Sequence, residues 1–196
     1  MFPIMKRIVI FASGSGTNAE NIIKYFQERK NAEVTLVFSN KMNAKVLKRA
    51  YNLNVKALHF DKTSFYSTNE VLNILKDAAP DLIVLAGFLW IFPKNIIETF
   101  SNKVINIHPA LLPKYGGKGM YGSHVHEAVV QNKEKESGIT IHYVNENYDE
   151  GAIIFQAKTP INDHDTPDDV AKAIHQLEYK YFPIVIEKIL GLRDEV

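Results

Sequence analysis

Ile8-Val9-Ile10-Phe11-Ala12-Ser13-Gly14-Ser15-Gly16-Thr17-Asn18 runs from four apolar residues straight into a glycine turn, after which Ile22, Ile23 and Phe26 recur at helical spacing. β-Branched and aromatic residues without polar interruption suit a strand buried on both faces, the habit of parallel sheets. Strand, glycine loop and helix in this order begin a βαβ unit. The rhythm then repeats: a strand at 34–38 closing on Ser39-Asn40, a short helix at 44–50, and a strand near 55–58. Residues 63–79 read as one helix with Val71, Leu72 and Leu75 on one face, ended by Pro80-Asp81. A fourth buried strand at 82–86, a brief helix at 96–100 and a fifth strand opening the stretch 103–113 follow. After Pro113 the pattern changes. Residues 115–122 form a glycine-rich loop, Ser123 begins a helix, and Ile139, Ile141 and Tyr143 alternate with Thr140 and His142 as in a half-buried strand. Residues 153–157 return antiparallel to it, and a long amphipathic helix spans about 167–190. The expected fold is α/β: a Rossmann-like open sheet, mostly parallel with an antiparallel C-terminal part, helices on both faces.

The chain has 196 residues, 46% apolar and 23% charged, which is ordinary for one domain with a full core; residues 1–196 are read as a single domain. A net charge of +1 sets up no global field toward nucleic acid, and small neutral or anionic ligands suit it better. There is no cysteine, which removes thiolate chemistry, disulfides and Cys-based zinc sites. Among seven histidines there is no His-Glu-x-x-His, and His124 and His126 diverge on a helix, so no metal is expected. Residues 1–7 carry two charges ahead of a short apolar strand, too little for a signal sequence or a membrane span, and the expected location is cytoplasmic.

Three strand ends carry the candidate chemistry. Gly14-Ser15-Gly16-Thr17-Asn18-Ala19 fits a relaxed G-x-G-x-x-A pattern whose helix N-terminus offers free N–H groups to a phosphate. A dinucleotide site also expects an acid after the second strand, where this chain has Phe38-Ser39-Asn40-Lys41. A phosphate monoester or phosphosugar is therefore favoured over a nicotinamide cofactor, with a merely structural turn as the plain alternative. Gly87-Phe88-Leu89-Trp90-Ile91-Phe92-Pro93 is too apolar to be exposed without reason and reads as a berth for a flat ring or a plug on the core. Asn106 and His108, two apart on a strand, share a face at its carboxyl end. Asp149, in a Tyr-Asp-Glu-Gly turn, is a plain surface turn unless it reaches His108. If it does, Asn106 holds an oxyanion, a protonated His108 donates to it, and Asp149 raises the histidine pKa and helps remove an amine proton. That is acyl transfer without a covalent enzyme intermediate, and no Gly-x-Ser-x-Gly elbow offers a serine nucleophile.

Ser-Gly-Ser-Gly-Thr-Asn at 13–18, Val-Phe-Ser-Asn at 37–40, Asp-Leu-Ile-Val-Leu-Ala-Gly-Phe at 81–88, Asn-Ile-His-Pro-Ala-Leu-Leu-Pro at 106–113 and the Asp149-Glu-Gly turn closely resemble the phosphoribosylglycinamide formyltransferases of purine biosynthesis, in order, from about residue 6 to 190. The resemblance implies a formyltransferase fold and transfer of a formyl group from 10-formyltetrahydrofolate to glycinamide ribonucleotide, without metal, membrane or nucleic acid, in a monomer or weak homodimer. It assigns Asn106, His108 and Asp149 to catalysis, Gly16, Thr17 and Asn18 to the phosphate and Glu178 to the sugar. Leu89, Trp90, Ile91 and Phe92 with Asn145, Glu146, Asn147 and Tyr148 would flank the pterin. Helical spacing alone leaves Glu178 on a solvated face.

The chain departs from the family at Leu89-Trp90, where many members have Met-Arg, and at Thr68, where an arginine often meets the folate tail. Its loop at 116–120 is longer than in the simplest members, with Lys118 as a replacement contact or a solvated lysine. A formyltransferase acting on a nucleotide-sugar amine and a folate- or nucleotide-binding regulatory module are the alternatives. The intact Asn106, His108 and Asp149 set argues against the second, because binding alone needs no acid–base trio.

Overall fold

In a computed structural model, which describes residues 5–196, strands β1 (Lys6–Phe11), β2 (Ala32–Ser39), β3 (Lys56–His59), β4 (Leu82–Leu85), β5 (Val104–His108), β6 (Glu136–Tyr143) and β7 (Ile153–Pro160) join in one sheet. Its order is β3-β2-β1-β4-β5-β6-β7. The pairs from β3 to β5 are parallel, while β5–β6 and β6–β7 are antiparallel. The opening residues 1–4, part of the stretch read as too short for a leader, lie outside the described residues. No described helix is long and apolar enough to cross a membrane.

Strand alternation sorts the core into two layers. Ile8 and Ile10 of β1 pack with helices α1 (Thr17–Arg29), α2 (Lys45–Asn52), α5 (Ser123–Gln131) and α6 (Pro167–Ile189). Val9 and Phe11 face the other way, toward α3 (Glu70–Ala78) and α4 (Lys94–Thr99). Phe11 is fully buried, with the rings of Phe38, Phe92, Phe88, Phe60 and Phe65 at 4.8, 5.1, 5.5, 5.7 and 6.1 Å. These rings come from β2, from the loop after β4 and from residues 60–65, so one side chain at the end of β1 supports the walls on either side of it.

Two local expectations change. Residues 63–79 are not one helix: a single π-helical turn, Thr63–Ser67, is followed by an extended Thr68 (φ −114°, ψ 171°) before α3 begins. Asp61 is the cause, since its carboxylate accepts from Ser64 N–H and Ser64 Oγ, both at 2.8 Å, while Phe65 is drawn into the aromatic cluster. Strand β6 is buried on both faces from Ser137 to His142 rather than half-buried. Thr140 is covered because its Oγ1 donates to the Ala110 carbonyl (2.7 Å) and accepts from Leu112 N–H (3.0 Å), clamping the segment that leaves His108.

Phe11→Ala is expected to cost about 3–5 kcal/mol, the range for emptying a buried aromatic site, and Phe11→Leu clearly less. Urea denaturation checks both, with a shift in midpoint at constant slope as the expected signature.

Candidate active site

Strand β1 has β2 on one side and β4 on the other, so the loops leaving β1 and β4 part at the carboxyl ends of the strands. The cleft between them has a volume of about 660 Å³, within the usual range for small-molecule sites. Its walls are the loops after β1, β4 and β5, Val144, Asn145, Asn147, Tyr148 and Asp149, and side chains from α5 and α6.

The loop after β1 ends on Gly16, which caps α1 in the left-handed region (φ 74°) with no side chain closing the helix N-terminus. A Cβ at Gly16 would lie 2.3 Å from Val46 Cγ2, so glycine alone lets α2 pack against the loop. The first-turn N–H groups of α1 are thus left for an anion. Arg49 secures the loop from behind, donating from Nε to the Ser15 carbonyl (2.9 Å) and pairing with Glu20. Ser13 ties this loop to the apolar one: its N–H donates to the Gly87 carbonyl (3.0 Å), and its Oγ accepts from Leu89 N–H (3.0 Å).

Leu89, Trp90, Ile91 and Phe92 all line the cleft. Leu89 and Ile91 leave 38% and 40% of their surface open, whereas Phe92 is a core plug beneath them. Trp90 leans on Phe60, Phe65 and Tyr66, and the Tyr66 hydroxyl donates to the Ile91 carbonyl (2.8 Å).

Asn106, His108 and Asp149 meet at the end of β5. The Asp149 carboxylate lies 3.5 Å from His108 Nδ1 and 3.4 Å from Asn106 Nδ2, and accepts from Gly117 N–H at 3.0 Å. Burial by itself raises the Asp149 carboxyl, but His142, His108 and the Gly117 N–H outweigh it and hold the group below its ordinary value. His108 Nε2 is 2.7 Å from the Tyr115 carbonyl, which assigns the ring proton to Nε2 and leaves Nδ1 to face Asp149. Burial lowers the His108 pKa more than Asp149 and the Tyr115 carbonyl raise it. Asp149 does raise this histidine, as expected, but desolvation is the larger effect and the resting ring is neutral. The 3.4 and 3.5 Å separations are longer than ordinary hydrogen bonds, as is common for catalytic groups awaiting substrate.

His142, absent from the expected set, sits opposite Asn106 in the β5–β6 register. Its Nδ1 is 2.8 Å from the Tyr143 carbonyl, so Nε2 is left as an acceptor for Asn106 Nδ2 at 3.1 Å. The alternation of Ile139, Ile141 and Tyr143 had already put His142 on the opposite face; what was missing was the partner strand.

Gly16, Thr17, Asn18 and Glu178 line one end of the cleft. Glu178 is only 5% exposed, not solvated: its Oε2 accepts from Asn18 Nδ2 (2.9 Å) and lies 3.0 Å from His175 Nδ1. His126 and His175, also unexpected, line the same end. Asn145, Asn147 and Tyr148 line the cleft, but Glu146 does not; it turns outward to pair with Lys94 at 3.0 Å.

The formyl transferase family model matches residues 6–186. The chloroplastic phosphoribosylglycinamide formyltransferase of Arabidopsis thaliana is 35% identical over 95% of this chain, which spans 66% of that relative's length. The Bacillus subtilis enzyme of the same name is 34% identical, with 97% of each chain covered. The crystal structure of glycinamide ribonucleotide transformylase 1 from Geobacillus kaustophilus superposes with a TM-score of 0.86 at 34% identity, covering 96% of this chain and 100% of that one.

Stability rises with pH wherever the unfolded chain binds more protons than the folded one. His108 is held below its ordinary 6.5 by burial, and so is His126, with further lowering from His175. Below 6.5, down to their folded values, only the unfolded chain takes up these protons, so acidification through that window destabilises the fold. His175 is raised, first by its hydrogen bond to Glu178, and acts in the opposite sense, losing its contribution as pH climbs through its folded value. Tm is expected to fall between about pH 7 and pH 5, and to fall less in His126→Gln. Differential scanning fluorimetry across pH reads the slope.

Proposed function

Because the chain belongs to the formyl transferase family, we propose that it transfers the formyl group of 10-formyltetrahydrofolate to the amine of glycinamide ribonucleotide (5′-phosphoribosylglycinamide), as a single cytoplasmic domain over residues 1–196. The reading rests on one observation above all: Asn106, His108 and Asp149 converge between a helix N-terminus suited to phosphate and an apolar wall suited to a flat ring. Exposed Leu89 and Ile91 fit the pterin of the co-substrate, and Asn18 with Glu178 fits the ribose between phosphate and amine.

In this mechanism the substrate amine attacks the formyl carbon, forming a C–N bond and a tetrahedral oxyanion. The amine proton passes to the Asp149–His108 pair. Protonation at His108 Nδ1 creates an imidazolium held by Asp149 on one side and the Tyr115 carbonyl on the other. As the oxyanion forms, the imidazolium Nδ1–H is shared between it and Asp149, and Asn106 turns to it the Nδ2–H that rests on Asp149. Collapse breaks the bond to the folate nitrogen, which takes up one proton, so the proton lost by the amine is balanced. His142 Nε2 accepts one Asn106 Nδ2–H and so orients the amide with its other N–H toward Asp149 and the reacting oxygen.

Purified protein given both substrates is expected to release tetrahydrofolate and formylated ribonucleotide in equal amounts. Absence of product would sink the reading. His108→Ala is expected to lose roughly two to four orders of magnitude in turnover, on the scale of removing an acid or an oxyanion donor. Trp90 is the chain's one tryptophan, so its emission reports on the ring berth directly. A saturable change on titration with reduced folate is expected, and constant emission at saturation would count against residues 89–92 as the pterin wall.

A further inference from the structure

Lys118 is, among the described residues, the single Lys or Arg that lines the cleft, where Asp149 and Glu178 are the carboxylates. The side chains within 4 Å of these acids' oxygens that could carry a positive charge are His108, His142 and His175, not Lys118. The nearest guanidinium behind the phosphate loop, Arg49, is committed to Glu20 and the Ser15 carbonyl. His108 and His126 are held toward their neutral forms, and His175 is paired with Glu178. A phosphate dianion entering this cleft therefore meets the partial positive charge of the α1 N-terminus, two carboxylates and one uncommitted cation.

The loop that carries Lys118 is pinned at its base. Tyr115 holds the His108 ring through its carbonyl, and Gly117, at φ 94°, turns its N–H onto Asp149. The tip then returns to the start of α5, where His124 Nδ1 meets the Gly119 carbonyl at 3.2 Å. Helix α5 shares its layer with α1 and α6, whereas Phe88 and Trp90 of the apolar wall pack on the opposite layer. The loop of Lys118 thus runs from Asp149 to the start of α5, the helix that shares its layer with α1.

We propose that Lys118 is the counter-cation for the phosphate monoester of the amine substrate, presented by the glycine loop that also fixes Asp149. The inference rests on the formyl-transfer reading and adds to it a binding residue for one substrate. It is tested by steady-state kinetics of the full chain and of K118A and K118R, with glycinamide ribonucleotide and with its dephosphorylated riboside.

K118A should raise KM for the ribonucleotide on the order of tenfold, with a smaller change in kcat and none in the folate KM. K118R should restore most of the loss, and the deficit of K118A should vanish with the riboside. An unchanged ribonucleotide KM, a rise in the folate KM instead, or a deficit that persists with the riboside would each overturn the proposal. Failure of the unaltered protein to form product would refute the functional reading, not this one. In that event thermal stabilisation by ribose 5-phosphate decides: Lys118 is supported if the shift shrinks in K118A and excluded if it does not.

Discussion

A carboxylate that is only 11% exposed and has no Lys or Arg partner among the described residues has to be held by dipoles, and Asp149 is such a group. An uncompensated buried charge would be costly enough to protonate or to reshape its surroundings. The chain meets this demand from three directions. Gly117 supplies an N–H from the loop after β5 and Asn106 an amide N–H from β5 itself, while the rings of His108 and His142, from β5 and β6, stand 3.5 and 3.6 Å away and bind the carboxylate once protonated. Each of these groups is itself anchored to a main-chain carbonyl or to a neighbour, so the position of one carboxylate constrains the end of two strands and the root of a loop.

The parallel half of the sheet was legible because strands buried on both faces are nearly unbroken apolar runs, and the glycine turn after Phe11 marks where the first one stops. The antiparallel strand β6 was less so. Alternation around Thr140 and His142 suggested a solvent face, but these polar side chains are satisfied by the Ala110 and Tyr143 carbonyls rather than by water. A pattern of polar residues cannot distinguish solvent from a hydrogen-bonded interior. The same blindness applies to Glu178, whose burial depends on Asn18 arriving from a helix 160 residues away in sequence.

The broken helix at 63–79 has a different origin. Its apolar residues suit a helix, yet Asp61 and Ser64 exchange local hydrogen bonds that compete with helical ones, and Phe65 is buried in the aromatic cluster. In the candidate site, strand spacing pairs Asn106 with His108, whereas Asp149 reads as a plain turn until the family resemblance joins it to them. The supporting histidines cannot be picked out this way, since their roles come from register and helix packing.

Ser13 joins the loop after β1 to the loop after β4 through two hydrogen bonds, one main-chain and one through its hydroxyl. The two walls of the cleft are consequently one mechanical body rather than two flaps. A bisubstrate cleft built on such a seam offers both guests walls whose spacing is set by one small side chain.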